Sequence, residues 1–211
     1  MLKTEAPRGT PLIRVSQSRS AMIARTVIKS SVPQGVEAIS VEEGSVLGIT
    51  QSAITDYAIG VESVGSDITL NQTYLARFTT VGVRSRHASA LSGSTGSNLG
   101  GVATLRDTYL QMPSGSNLPG AAVRSDGNVL VMSNSRVEGA VANRESSAGV
   151  HVRESQVKLM NGTEIFGGAK PGIRSERSRL WLDNTTVSDA DRGLYVADLP
   201  NGVDPLFSDA Q

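Results

Sequence analysis

Two short patterns alternate along this chain, and their repetition limits the possible fold more than any other feature. The first is a hexad, apolar-x-polar-Ser/Thr-x-apolar. It reads IARTVI (23–28), ITQSAI (49–54), LNQTYL (70–75), LRDTYL (105–110), MSNSRV (132–137), MNGTEI (160–165) and LDNTTV (182–187). The sixth copy is relaxed, with Gly162 at the polar position. The second pattern precedes each later hexad: a small residue, an apolar one, a variable one, then a small or apolar one. Its copies are GVEA (35–38), GVES (60–63), GVRS (82–85), AVRS (122–125), GVHV (149–152), GIRS (172–175) and GLYV (193–196). Short polar turns such as RESQ (153–156) and SERS (175–178) separate the two.

Alternating apolar residues over four to six positions, as in Ile68/Leu70 and Leu180/Leu182, have the period of a β-strand. One such unit cannot bury its apolar face alone, but it can when stacked on its neighbours at about 4.8 Å. The spacing predicts an all-β parallel solenoid of about seven to eight coils, with two or three short strands each and a length of about 35–40 Å. Helical signals are poor, because β-branched residues and serine are common and no stretch keeps a capped 3.6-residue period. Leucine-rich repeats share the repeat length, but their leucine–asparagine spacing and helical half are missing.

Stacking converts repeat positions into rows. The variable position of the second pattern predicts an outward row of Glu37, Glu62, Arg84, Arg124, His151, Arg174 and Tyr195. The next position predicts an inward row of Ala38, Ser63, Ser85, Ser125, Val152, Ser175 and Val196, whose serines can hydrogen-bond. The hexads add a hydroxyl row, Thr26, Ser52, Thr73, Thr108, Ser135, Thr163 and Thr185. Preceded by Gln51, Gln72, Asp107, Asn134 and Asn184, this row reads as a polar ladder where the chain bends. The acceptor-like triplets at Asn71, Asn161 and Asn184 fall within hexads, so turn chemistry accounts for them.

Register breaks mark the domain organisation. Residues 1–11 read as irregular and lack the apolar stretch of a secretory signal. Residues 12–199 form the solenoid, with insertions near 87–101, 112–121 and 142–148, and 200–211 form an irregular tail. Two uncapped ends predict a segment of a longer protein. The stretch 87–101 reads either as a loop or as a degenerate extra coil.

Composition excludes several functions. Twenty basic and twenty acidic side chains cancel, which argues against a nucleic-acid partner. No apolar run is long enough for a membrane span. The absence of cysteine removes disulfides and thiolate chemistry. Neither metal-ligand nor phosphate-loop spacing is present, so no cofactor and no metal are expected. The carboxylate pairs Glu37/Glu62, Glu154/Glu176 and Asp189/Asp191 come without a third acidic ligand or an aromatic sugar platform, so no catalytic residue is assigned. Candidate partner-binding residues remain. Arg77, Arg84, Arg86 and Arg106 lie in a stretch free of acids between Asp67 and Asp107, which reads either as a basic patch suited to acidic glycans or anionic lipid headgroups, or as a solvated face. Arg124 and Arg174 share the outward row with Arg84, and Trp181 points outward between Leu180 and Leu182.

The repeated form, above all GVHVRESQVKLMNGTEI (149–165) and GIRSERSRLWLDNTTV (172–187), resembles the passenger region of bacterial autotransporters, with pertactin-like adhesins the comparison. The resemblance runs from about residue 12 to about 196. It implies a right-handed parallel β-helix exported across two membranes and found at the bacterial cell surface or released from it. It also implies a non-catalytic stalk acting in adhesion, virulence or cell–cell contact. The implied partner is a host-cell surface protein or glycan, or a sister molecule. Export of an unfolded chain through a pore agrees with the lack of cysteine. The alternative is a polysaccharide-binding or polysaccharide-modifying β-helix: a lyase, hydrolase or epimerase.

Overall fold

The computed structural model describes residues 10–30, 37–88, 100–112, 120–139, 148–166, 171–188, 190 and 192–197. These residues form an all-β parallel β-helix of three sheets. In chain order the strands are β1 (Ile13–Ser16), β2 (Ala21–Ala24), β3 (Val27–Lys29), β4 (Glu37–Glu42), β5 (Val46–Thr50), β6 (Ala53–Thr55), β7 (Ile59–Val64) and β8 (Asp67–Asn71). They continue with β9 (Tyr74–Ala76), β10 (Val81–Arg86), β11 (Val102–Arg106), β12 (Tyr109–Gln111), β13 (Ala121–Asp126), β14 (Val129–Ser133) and β15 (Arg136–Glu138). The last are β16 (Ala148–Arg153), β17 (Gln156–Met160), β18 (Thr163–Phe166), β19 (Ile173–Glu176), β20 (Arg179–Leu182), β21 (Thr185–Ser188) and β22 (Leu194–Ala197). Every third strand shares a sheet: β1 through β22 in the first, β2 through β20 in the second, β3 through β21 in the third. The described chain therefore completes seven three-strand coils and begins an eighth.

Each hexad is the corner between the second and third sheets. Its first apolar residue closes one strand inward, as Leu70 and Leu105 do, and its last opens the next, as Leu75 and Leu110 do. The polar position holds a left-handed backbone at Arg25, Gln51, Gln72, Asp107, Asn134 and Asn184, with φ between 46° and 52°. Amide and carboxylate side chains tolerate that conformation better than branched ones. The hydroxyl after it turns back onto carbonyls. Thr108 Oγ1 donates to the Arg106 and Leu70 carbonyls at 2.9 and 3.2 Å, and Ser135 Oγ repeats this on Ser133 and Leu105. The corner between the first and second sheets carries a second ladder that the sequence reading left unassigned. There the Ser45 N–H donates to Ser66 Oγ, and the Ser155 N–H to Ser178 Oγ, both at 3.1 Å. Buried backbone donors at the bends are thereby satisfied from the next coil.

Two sequence expectations change, and one open alternative closes. First, MNGTEI begins one residue late. Leu159, not Met160, pairs with the inward Met132, and Asn161 and Gly162 both occupy left-handed φ, at 54° and 78°. This corner carries one extra residue, which is why its pattern looked relaxed. Second, GVEA is out of register. Ile39 pairs with Val61 and Ser40 with Glu62, so the true copy is 38–41, and Ser40 and Val41 replace Glu37 and Ala38 in their rows. Third, β10 pairs directly with β7 and β13, while β11 pairs with β8 and β14, so 87–101 inserts within a coil and adds none to the stack. Most of that segment (89–99) lies outside the described residues, as do 1–9, 113–119, 140–147 and 198–211.

The core is a continuous column of stacked aliphatic side chains. Val61, Val83, Val123 and Val150 contribute from the first sheet, Ile68, Leu105, Leu130 and Leu159 from the second, and Ile54, Leu75, Leu110 and Val137 from the third. Full burial of each stabilises the fold by about 1.5–3 kcal/mol before the entropy of ordering is counted. In the first sheet two consecutive residues face inward: Ala38 with Ile39, and Ala122 with Val123, all in the core. The small member of each pair allows close approach. A Cβ on Gly82 would lie 2.7 Å from the Ala122 carbonyl oxygen and 2.9 Å from Phe78 Cε1. Gly82→Val is therefore expected to lower stability by about 1–3 kcal/mol through overpacking, read from the urea midpoint. An unchanged midpoint would place this residue elsewhere.

Candidate functional site

The paired inward residues bend the first sheet so that its outer surface is concave. One wall is made by Thr80, Val81, Gly120 and Ala121. The other is made by side chains further along the strands of this sheet, Arg84, Arg124, His151 and Arg174, around a groove of about 200 Å³. Backbone register places Arg84 beside Arg124, Arg124 beside His151 and His151 beside Arg174 in four successive coils. The counter-charges come from Glu62 in the same row and from Asp126 and Glu176 two residues further along their strands.

Each arginine of the groove is anchored by a carboxylate. Glu62, only 5% exposed, accepts from Arg84 Nε at 2.7 Å and lies 2.6 Å from Arg86 Nη2. Arg124 Nε donates to Asp126 at 2.9 Å, and Arg174 Nε to Glu176 at 2.6 Å. Burial works against ionisation of Glu62, but the hydrogen bond and charge of Arg84, with the charge of Arg86, hold its carboxyl below the usual range. Neighbouring Glu37 moves the other way. Burial raises it first, and a hydrogen bond to Glu62 and repulsion from it add to the rise. Two carboxyls in hydrogen-bond contact are closer than the roughly 5 Å at which glycoside hydrolysis places its pair. Glu37 and Glu62 are therefore too close together to act as the spaced carboxylate pair of a glycoside hydrolase.

His151 sits at the middle of the row. Its Nε2 lies 3.4 Å from Glu176 Oε1, at an angle too poor for a hydrogen bond. Burial, then the charge of Arg124 and more weakly that of Arg174, lower its pKa, with Glu176 and Asp126 opposing. The groove thus presents arginines flanking a neutral imidazole near pH 7. An anion entering it would meet several N–H donors and would favour protonation of His151.

The other sequence candidates lie elsewhere. Arg77 is at the corner between the third and first sheets, 2.7 Å from Asp56. Arg106 ends a strand of the second sheet, beside Asn71 and Ser133. Trp181 is 54% exposed on the second sheet next to Lys158, outward as expected. The four arginines of the acid-free stretch therefore do not share one patch, because a coil carries successive residues around three faces. Arg84 and Arg86 do share a face, which Arg124 and Arg174 extend. Among the described residues no group of three or more His, Asp or Glu is placed to hold a metal ion, and no helix is long and apolar enough to cross a membrane.

One assembly escaped the sequence reading. On the outer face of the third sheet Tyr74 and Tyr109 stack in register, ring centroids 5.4 Å apart, and the Arg136 guanidinium lies 4.0 Å from the Phe166 ring centroid. The signal was present, since both tyrosines occupy the same slot of neighbouring hexads.

Comparison with known proteins found no matching family model, no matching curated protein and no matching solved structure. The class defined by the coordinates is a parallel β-helix with a charged groove along its first sheet.

Two predictions follow from the charges. Glu62→Gln leaves Arg84 and Arg86 without their shared anion, and is expected to destabilise by about 3 kcal/mol in denaturant unfolding. His151, with its folded pKa below the unfolded value near 6.5, is protonated more readily in the unfolded chain. Its contribution is therefore complete above that value and is lost as pH falls through the window below it. His151→Gln should flatten the fall in Tm between about pH 6.5 and 5. Parallel Tm–pH curves would refute the assignment.

Proposed function

We propose that this chain is a passenger segment of a bacterial autotransporter: a non-catalytic β-helical stalk, displayed at the cell surface or secreted, that acts in adhesion. In this reading the first-sheet groove is the contact surface, and its partner is an acidic glycan of a host or sister cell. The observation that carries the proposal is the row Arg84–Arg124–His151–Arg174, set at strand spacing on an unbroken solenoid. A linear polyanion laid along the helix axis would meet a cationic or protonatable group at each coil, about 4.8 Å apart. The cysteine-free sequence supports export through a pore, and the repeat resemblance supports the autotransporter class.

The polysaccharide-modifying alternative gains little from the hydrogen-bonded Glu37–Glu62 pair. The groove would then act as a binding cleft alone.

The adhesive reading is tested with a fluorescent heparin-derived octasaccharide. Binding is expected to weaken at least tenfold in the Arg124→Gln/Arg174→Gln double variant, and to fall as salt rises, since screening acts on the exposed part of the interaction. Equal binding by the variant would remove the groove from the proposal. The export reading is tested by fusing the chain between a signal peptide and an autotransporter barrel. Antibody labelling of intact cells is expected, and retention inside the cell would contradict it.

A further inference from the structure

A second surface has chemistry of a different kind. At the corner between the second and third sheets, a hollow of about 560 Å³ is lined by Asp107, Thr108, Tyr109, Asn134 and Arg136. The hollow is open and shallow, so a ligand would lie on it and keep one side in solvent. Its polar groups are held in place before any ligand arrives. Asp107 and Asn134 sit at the left-handed corner positions, φ 47° and 46°, and the Asn134 amide donates to the Asp107 carboxylate. The Tyr109 hydroxyl donates to Glu138, which, behind burial, helps push its pKa up to about 12, and the ring leans on Tyr74 at 37°. Tyr74 in turn donates to Gln111 at 2.6 Å. Arg136 lies over Phe166, 3.8 Å from Glu164.

We propose that this hollow is a binding site for a neutral saccharide, with a pyranose ring against the outward edge of the half-buried Tyr109 and its hydroxyls held by Asp107, Asn134 and Arg136. A pyranose offers an apolar C–H face and a rim of hydroxyls that both donate and accept. The hollow offers the outward edge of a ring lying between Tyr74 and Arg136, a carboxylate acceptor, a side-chain amide that both donates and accepts, and a guanidinium donor. Charge selects the class. The carboxylates Asp107, Glu138 and Glu164 outnumber the guanidiniums of Arg106 and Arg136, so an acidic sugar is repelled. The pinned tyrosine and corner residues lose little freedom on binding, which favours recognition by a shallow site. This site is separate from the first-sheet groove and takes a neutral ligand where the groove takes an acidic one.

The test is a ¹H–¹⁵N NMR titration of the whole chain with cellotriose, maltotriose, chitotriose and mannotriose, and with trigalacturonic acid as the acidic counterpart. At least one neutral trisaccharide is expected to shift the amides of residues 107–109 and 134–136 and to saturate in the millimolar range. Asp107→Gly and Asn134→Gly keep the corner conformation while removing a side chain, and each should weaken that binding at least fivefold. Lys158→Gln, on the outer face of the second sheet, leaves the site untouched and should stay within about threefold of the parent. The proposal is overturned if no neutral trisaccharide shifts these amides, if trigalacturonic acid shifts them more strongly, or if the glycine variants bind as the parent does. Because the readout is local to the third sheet, the result is separable from that of the octasaccharide, which reports on the first.

Discussion

In-register pairing of each strand with the coil before and the coil after is the interaction on which everything else rests. Except at the turns, a strand's backbone donors and acceptors are satisfied outside its own coil, so no coil is stable by itself. The same pairing places equivalent side chains one above another. Aliphatic residues then form a column, hydroxyls form ladders at two corners, and ionisable groups form rows on the outer surfaces. A residue that departs from its row is felt by two neighbours, which explains why the corner positions keep such a narrow set of side chains.

Much of this was legible before any coordinates, because a corner imposes local chemistry. The hexad condenses the inward residue that ends one strand, the left-handed turn position, the hydroxyl that caps it and the inward residue that starts the next. The misreadings arose where local chemistry did not fix register. GVEA satisfies the small-apolar pattern, but Ile39 and Val41, three residues further on, are the ones that fill the core beside Val61 and Ser63. At MNGTEI an extra residue is absorbed by a second left-handed position at Gly162, which a fixed six-residue template could not accommodate.

Sites were less legible than the fold. The outward row through Arg84, Arg124, His151 and Arg174 followed from the repeat, but its concavity did not. That depends on two successive inward residues, a break in strict alternation visible only once Ala122 and Val123 are both seen in the core. Grouping charges by sequence proximity misplaced Arg77 and Arg106, since neighbours in sequence travel to different faces within one coil. The reverse error hid the tyrosine pair: residues 35 positions apart in sequence, Tyr74 and Tyr109, are direct neighbours in the stack. The zero net charge has a structural form too. It is distributed as anchored pairs, Glu62 with Arg84 and Arg86, Asp126 with Arg124, Glu176 with Arg174, which keep guanidiniums aligned along the groove.

The register across the longest interval is the most direct test of the architecture. Thr69 and Thr104 are paired neighbours on the outer face of the second sheet, although the 89–99 segment separates them in sequence. The chain has no cysteine, so Thr69→Cys/Thr104→Cys introduces a single possible disulfide. Adjacent strands lie about 4.8 Å apart, within the roughly 4.4–6.8 Å Cα separation a disulfide requires, whereas residues two coils apart do not. Mild oxidation is expected to cross-link this pair in the folded monomer and to leave Thr69→Cys/Val131→Cys reduced. Cross-linking of the second pair and not the first would contradict the stack.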